Sequence, residues 1–165
     1  MLLCIIISMS ANQLVENLQS LTFQSADSKQ AADSINAQNL FTAVPNLVNK
    51  LKEIINKVSQ DISAQGNGNL AGSLKESDQS LIYEAFKNFT RVHQELLNRI
   101  TAKHGVMSMP ALTAPITQVL RALEESVDAL VFNIIDSIPH HDKECKSSKG
   151  SLDGAFGKAI STYDS

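Results

Sequence analysis

At 165 residues the chain is one domain by length, long enough to bury roughly 70% of the surface its unfolded form exposes, and it needs neither a metal nor a disulfide to fold. Hydrophobic residues make up 43% of it while aromatics are only 5% and Trp is absent, so the core must rest on Leu, Ile, Val and Ala, which favours packed helices over a sandwich. With 14 Lys and Arg against 17 Asp and Glu and a net charge of −3, the chain lacks the basic stripe that phosphate-backbone binding requires, and nucleic acid is excluded as a partner.

The chain opens on an apolar run, Leu2, Leu3, Cys4, Ile5, Ile6 and Ile7, followed by Ser8, Met9 and Ser10 at a spacing that signal peptidase accepts. The run is short, and no Lys or Arg precedes Lys29. Residues 1–10 therefore read either as a degenerate or truncated secretory signal or as an apolar extension of the first helix. They fall well short of the about 20 apolar residues that a bilayer span takes, so no transmembrane span is expected. Residues 11–165 read as a single helical-bundle domain.

From about residue 10 to 36 there is no Gly or Pro, and the heptad positions are Leu14, Leu18, Leu21, Ser25, Ser28, Ala32 and Ile35. This is a long helix whose inner stripe turns small and polar in the middle. Such residues either let helices approach closely or leave Ser25 and Ser28 facing an internal cavity. A turn over 39–42 follows, with Thr42 as N-cap and Pro45 tolerated in the first turn of a second helix that runs to about residue 63. Its inner side carries Val44, Leu47, Val48, Leu51, Ile54, Ile55, Val58 and Ile62, and Lys50, Lys52, Glu53, Lys57 and Asp61 are expected to face water. Residues 65–72 hold three of the seven glycines and read as a loop.

The third helix, within residues 74–106, is the richest supplier of core side chains, with an inner stripe of Leu81, Ile82, Ala85, Phe86, Phe89, Val92, Leu96 and Ile100. Its start is marked either by a capping box of Ser73 with Glu76 or by Ser77 as N-cap. Of its i,i+4 pairs only Glu95 with Arg99 is a favourable ion pair, and Gly105 is expected as the C′ residue. A fourth helix begins at Thr113 with Pro115 in its first turn, or at Ser108 with a kink at Pro115. Its stripe is Ile116, Val119, Leu120, Leu123, Val127, Leu130, Ile134 and Ile138, stopped by Pro139. Residues 140–150 are polar and read as a loop. The last helix, over 151–163, places Leu152, Phe156, Ile160 and Tyr163 on one face and is weakened by Gly154 and Gly157 by about 1 kcal/mol each. The expected fold is all-α, an antiparallel bundle of five helices.

No catalytic constellation accompanies these elements, so the chain is not expected to be an enzyme. There is no G-x-S-x-G elbow, no phosphate-cradling glycine loop, no H-E-x-x-H and no Glu-x-x-His pair. His140, His141, Asp142, Glu144 and Cys145 lack the spacing of a zinc site, and no metal or cofactor is expected. His93, beside the stripe of the third helix, reads as a partly buried histidine bonded to a neighbour, and Cys145 has no partner that would make it a nucleophile. The two cysteines, Cys4 and Cys145, leave at most one disulfide. Asn88-Phe89-Thr90 is the sole N-glycosylation sequon, with Asn88 the candidate acceptor. An aliphatic bundle of this size either packs solid, as a helical interaction protein with no ligand would, or keeps an apolar cavity for an acyl chain.

Four motifs bear on that choice: Lys75-Glu76-Ser77-Asp78 before the third helix, the run 97–103 at its end, Val127-Asp128-Ala129-Leu130 in the fourth, and the spaced alanines and tyrosine of 155–163. In these, and across the chain from about residue 12 on, the sequence resembles the fungal hydrophobic surface-binding protein A family, also called cell-wall galactomannoproteins. The resemblance implies a secreted or cell-wall protein, non-enzymatic and five-helical, that binds hydrophobic surfaces and assists lipolytic enzymes or encloses fatty acids between its helices. The chain departs from that pattern in its degenerate signal and in lacking a Ser/Thr-rich tail. The family offers no motif of ligand contacts, so the expected lipid-binding residues come from the inner stripes: Phe86, Phe89, Leu96, Leu120, Leu123, Leu130, Phe156 and Ile160 along the acyl chain, and Ser25, Ser28 or Tyr163 near the carboxylate. The alternatives are an enzyme-inhibitor-like bundle resembling plant invertase and pectin methylesterase inhibitors, whose four-cysteine pattern is missing here, and an adsorbing surfactant without a cavity.

Overall fold

The computed structural model describes the backbone of residues 2–65 and 74–165 and, within these, the side chains other than those of residues 2–10 and 65. The glycine-rich stretch expected as a loop lies largely outside the described residues, as do Ser73 and the side chains of the signal-like run. Five helices follow one another: α1 (Leu2–Asp33), α2 (Leu40–Gln65), α3 (Glu76–Ala102), α4 (Pro110–Ser137) and α5 (Asp142–Tyr163), with a 3-10 turn at Pro139–His141 before the last. Consecutive helices run in opposite directions, as expected of the bundle. At 27 residues, α3 spans about 40 Å.

The order around the bundle differs from the order along the chain. α1 packs on α2 and α3, α3 on α5, α5 on α4, and α4 on α2, closing a ring 1-3-5-4-2. Cross-links give the directions. Ser25, Lys29 and Asp33 of α1 meet His93, Glu95 and Arg99 of α3 in ascending order, so these two helices are parallel. α3 and α5 are parallel by the same test, through Ser80 with His141 and Ile100 with Tyr163. One wall of the ring is thus three parallel helices, and the other is α2 and α4. Five helices with neighbours about 10 Å apart stand about 8.5 Å from the ring's centre, against about 7 Å for four. The interior is accordingly wider than that of a four-helix bundle, and one contiguous core of Leu, Ile, Val and Phe occupies it.

Several local expectations are corrected. Residues 142–150 are not a loop but the first turns of α5. Asp142 and Glu144 sit at the positive end of its dipole, Asp142 pairs with Lys146 and Lys149 with Asp153 one turn on, and Cys145 anchors the otherwise polar segment in the core. Leu81, assigned to the inner stripe of α3, is 58% exposed, because Ile82, Phe86 and Phe89 already define the buried face. Asp61, expected in water, is buried, since it falls on the stripe Leu51, Ile54, Val58, Asp61.

Helix ends also differ. α3 starts from an extended Lys75 with no side-chain cap, which leaves Ser77 inside its first turn. It ends with Lys103 in right-handed geometry, and Gly105 adopts no left-handed backbone. Lys103 instead reaches across to the carbonyls of Asp33 and Ile35 at 3.0 and 2.8 Å, closing the C-terminus of α1 from the neighbouring helix. α4 begins at Pro110 after Met109, near the competing boundary, with Pro115 inside the helix where its ring costs one backbone bond. Asn39 rather than Thr42 precedes α2, its carbonyl accepting from the Thr42 and Ala43 amides. Glu95 bonds Arg91 and Lys29, while Arg99 turns to Asp33, so the expected Glu95–Arg99 pair is replaced by ion pairs that tie α1 to α3.

Candidate functional site

The stripe of α3 repeats every seven residues through Phe86, His93 and Ile100, and that of α1 through Leu18, Ser25 and Ala32. Each helix therefore carries a polar residue at a core position. Because the two helices are parallel and in register, these residues meet. Ser25 Oγ lies 2.9 Å from His93 Nδ1, and both residues are fully buried. The imidazole sits between two phenylalanines, Phe89 one turn below it on α3 and Phe156 on α5, with ring centroids 5.3 and 5.5 Å away. On its other edge, Nε2 is buried with no hydrogen-bond partner. Burial alone lowers the imidazole pKa to about 4, so the ring is neutral at neutral pH. A serine donating to Nδ1 leaves the ring hydrogen on Nε2. An unanswered donor in a dry interior costs free energy that a ligand's oxygen would recover.

A second polar position lies lower in the ring. Asp61 is held through Oδ1 by Lys57, which also reaches Asn17 Oδ1 at 3.5 Å, and Gln13 donates to the same Asn17 oxygen at 2.9 Å. Asp61 Oδ2 is buried without a partner. Asn17 and Ser25 are eight residues apart on α1, which separates the two positions by about 12 Å. With Ser25 donating to Nδ1 the upper one offers a hydrogen, whereas the free atom of the lower one, Asp61 Oδ2, is an acceptor.

Of the expected site residues, Ser25, Phe89 and Phe156 surround this histidine directly. Leu123 is fully buried on α4, which packs on α5. Phe86, Leu96, Leu120 and Leu130 are also fully buried. Ile160 is only partly buried. Tyr163 is buried, but its hydroxyl already donates to the Ile100 carbonyl at 2.6 Å, so it is removed from the set of groups free to meet a carboxylate. Ser28 is buried one turn above Ser25. The local sequence pattern puts His93 beside the stripe and Asp61 outside it. The seven-residue spacing from Phe86 to Ile100, and from Ile54 to Asp61, is the signal that places both inside.

The Ser25–His93 pair does not have the form of a hydrolytic dyad. Both groups are sealed from solvent, no carboxylate orients the ring, and an imidazole lowered to about 4 is a weak base at neutral pH. The Cys145 thiol is pushed up to about 12 by burial, with Glu144 and Asp142 adding to the effect, and is held in the inert thiol form. His141 stacks on Tyr83 at 4.6 Å, and no group of three or more His, Cys, Asp or Glu side chains fit to hold a metal occurs among the described residues. Asn88 is exposed, its side-chain oxygen accepting from Arg91 at 2.8 Å, while the sequon's Thr90 is buried. A groove of about 540 Å³ between α1 and α3, lined by Phe23, Lys29, Arg91 and Glu95 among others, is open to solvent. No described helix is long and apolar enough to cross a membrane.

No family model matches the chain, and no curated protein matches it by sequence. Among solved structures it is similar to a crystal structure of Afmp4p in complex with palmitic acid, with a TM-score of 0.82 at 18% identity over 93% of this chain and 99% of that one. The likeness establishes the five-helix fold.

Proposed function

We propose that the protein is a non-enzymatic carrier of long-chain fatty acids, secreted or wall-associated, which takes the acyl chain among the aliphatic side chains inside its five-helix ring. The observation that carries this reading is the fully buried, unpartnered His93 Nε2 between two phenylalanines, a polar anchor in apolar surroundings of the kind that orients a lipid headgroup. A fold shared with a palmitate-bound protein and a ring wider than a four-helix bundle support it. So does the sequence resemblance to the hydrophobic surface-binding family, which is also the ground for secretion and for a link to lipolytic enzymes.

Organic extraction and native mass spectrometry of the purified full chain test the reading. A fatty acid bound one to one, or reloaded from micromolar palmitate after delipidation, is the expected result. A protein that carries none and takes up none is a solid bundle, and the reading fails.

A further inference from the structure

In a fatty-acid complex the headgroup brings a negative charge into a site where no cation is placed among the described residues. The ionisable groups on the helices around His93 are turned outward. Asp27 and Lys29 of α1 pair with Lys50 and Glu95, and Arg91 and Glu95 of α3 pair with each other. Asp153 of α5 pairs with Lys149, and Lys158 is exposed. Across the ring, Glu53 of α2 is exposed and Asp128 of α4 lies beside Lys149, with Glu124 half-buried next to it. None of them is positioned to neutralise a carboxylate at Nε2. An unpaired carboxylate in such an interior is costly, and the least expensive neutralising charge is a proton on the imidazole itself.

Resting on the fatty-acid reading, we infer that the protein binds a long-chain carboxylate together with one proton, which His93 takes up to form a buried Nε2–H···carboxylate pair. The balance is simple: one carboxylate and one solvent proton enter, no covalent bond changes, and the complex is neutral at the headgroup. Ser25 makes both ring states tolerable. Its hydroxyl donates to Nδ1 when the ring is neutral and accepts from Nδ1–H when the ring is an imidazolium, at the same 2.9 Å separation. The nearby carboxylate raises the basicity of a ring that burial otherwise keeps unprotonated. The Asp61 position cannot serve this headgroup, since its free atom is an acceptor.

The experiment is titration calorimetry of the delipidated full chain with palmitate and with hexadecanol, at neutral pH, in phosphate and in Tris. Uptake of about one proton per palmitate and none per hexadecanol is expected. Palmitate affinity should fall about tenfold per pH unit above neutrality. Nitrogen-15 shifts of His93 should be those of an imidazolium in the palmitate complex and of a neutral ring without it. His93→Gln, which keeps a donor but holds no proton, should abolish the uptake and weaken palmitate at least about tenfold, with hexadecanol changed less than about threefold. Palmitate bound without proton uptake, or with a neutral His93, overturns the inference and leaves fatty-acid binding standing. If neither ligand binds the wild-type chain, the underlying reading is what fails.

Discussion

The two walls of the ring are built differently. Among the described residues, α2 and α4 present a mainly aliphatic surface, Val44, Leu47, Leu51, Ile54 and Val58 on one and Ile116 through Ile138 on the other, broken at Asp61 near the end of α2 and at Thr117 and Ser137 near the two ends of α4. The wall of α1, α3 and α5 holds the three buried phenylalanines, the buried tyrosine, the histidine and both buried serines of the α1 stripe. Aliphatic side chains fill space without direction, so they hold the fold together and are indifferent to what lies beside them. Aromatic and polar groups in a core are directional and must be satisfied. Under the proposed fatty-acid reading, the contrast gives cohesion to one wall and recognition to the other.

The largest expected effect probes the aliphatic wall. Leu123→Ala should cost about 2–5 kcal/mol in urea unfolding while leaving the proton count of palmitate binding unchanged. A variant that lost the proton uptake along with stability would erase the distinction between the walls. The next probe is acid. A histidine whose folded pKa is about 4 against 6.5 unfolded stabilises the fold fully above pH 6.5, because the unfolded chain binds the proton more readily. That stability is lost as pH falls toward about 4, amounting to about 3 kcal/mol across the window. Unfolding free energies of wild type and His93→Gln should therefore converge on acidification. Parallel profiles would show that the ring is not held neutral by the wall.

Ser25→Ala removes the group that accommodates both ring states and leaves Nδ1 unpaired, at a cost of about 1–3 kcal/mol. Differential scanning calorimetry should show the drop, and palmitate should lose more affinity than hexadecanol. The smallest effect concerns the outer surface of the recognition wall. An added Cβ at Gly154 or Gly157 meets nothing within 4 Å, so each Gly→Ala change should raise stability by about 0.5–1 kcal/mol with binding unaltered. Altered binding would mean that α5 needs its looseness.

What the sequence reveals follows the same division. Because period and burial are two expressions of one geometry, aliphatic periodicity identifies all five helices and most of the buried Leu, Ile and Val, missing flanking positions such as Leu97, Val131 and Ile135. The buried polar residues are less legible. Asp61 and His93 carry the chemistry of surface residues, and only their seven-residue spacing contradicts that. The pairing of Ser25 with His93 depends on α1 and α3 lying parallel and adjacent, a ring order that local patterns do not encode. The first turns of α5 read as a loop because a single apolar residue, Cys145, marks their inner face.

The ring order also governs how the chain assembles. α1 with α2, and α4 with α5, are sequence neighbours whose hairpins close short loops. α3 packs mainly on helices that are not its sequence neighbours and joins the two hairpins on one side of the ring, as α4 against α2 does on the other, through partners such as Ser25 and His93, 68 residues apart. Closing contacts at that separation carries a loop entropy that local pairs avoid. α3 therefore acts as a keystone. The Ser25–His93 pair is completed only when the middle of the chain seats against α1, so it reports a contact closed across 68 residues of sequence.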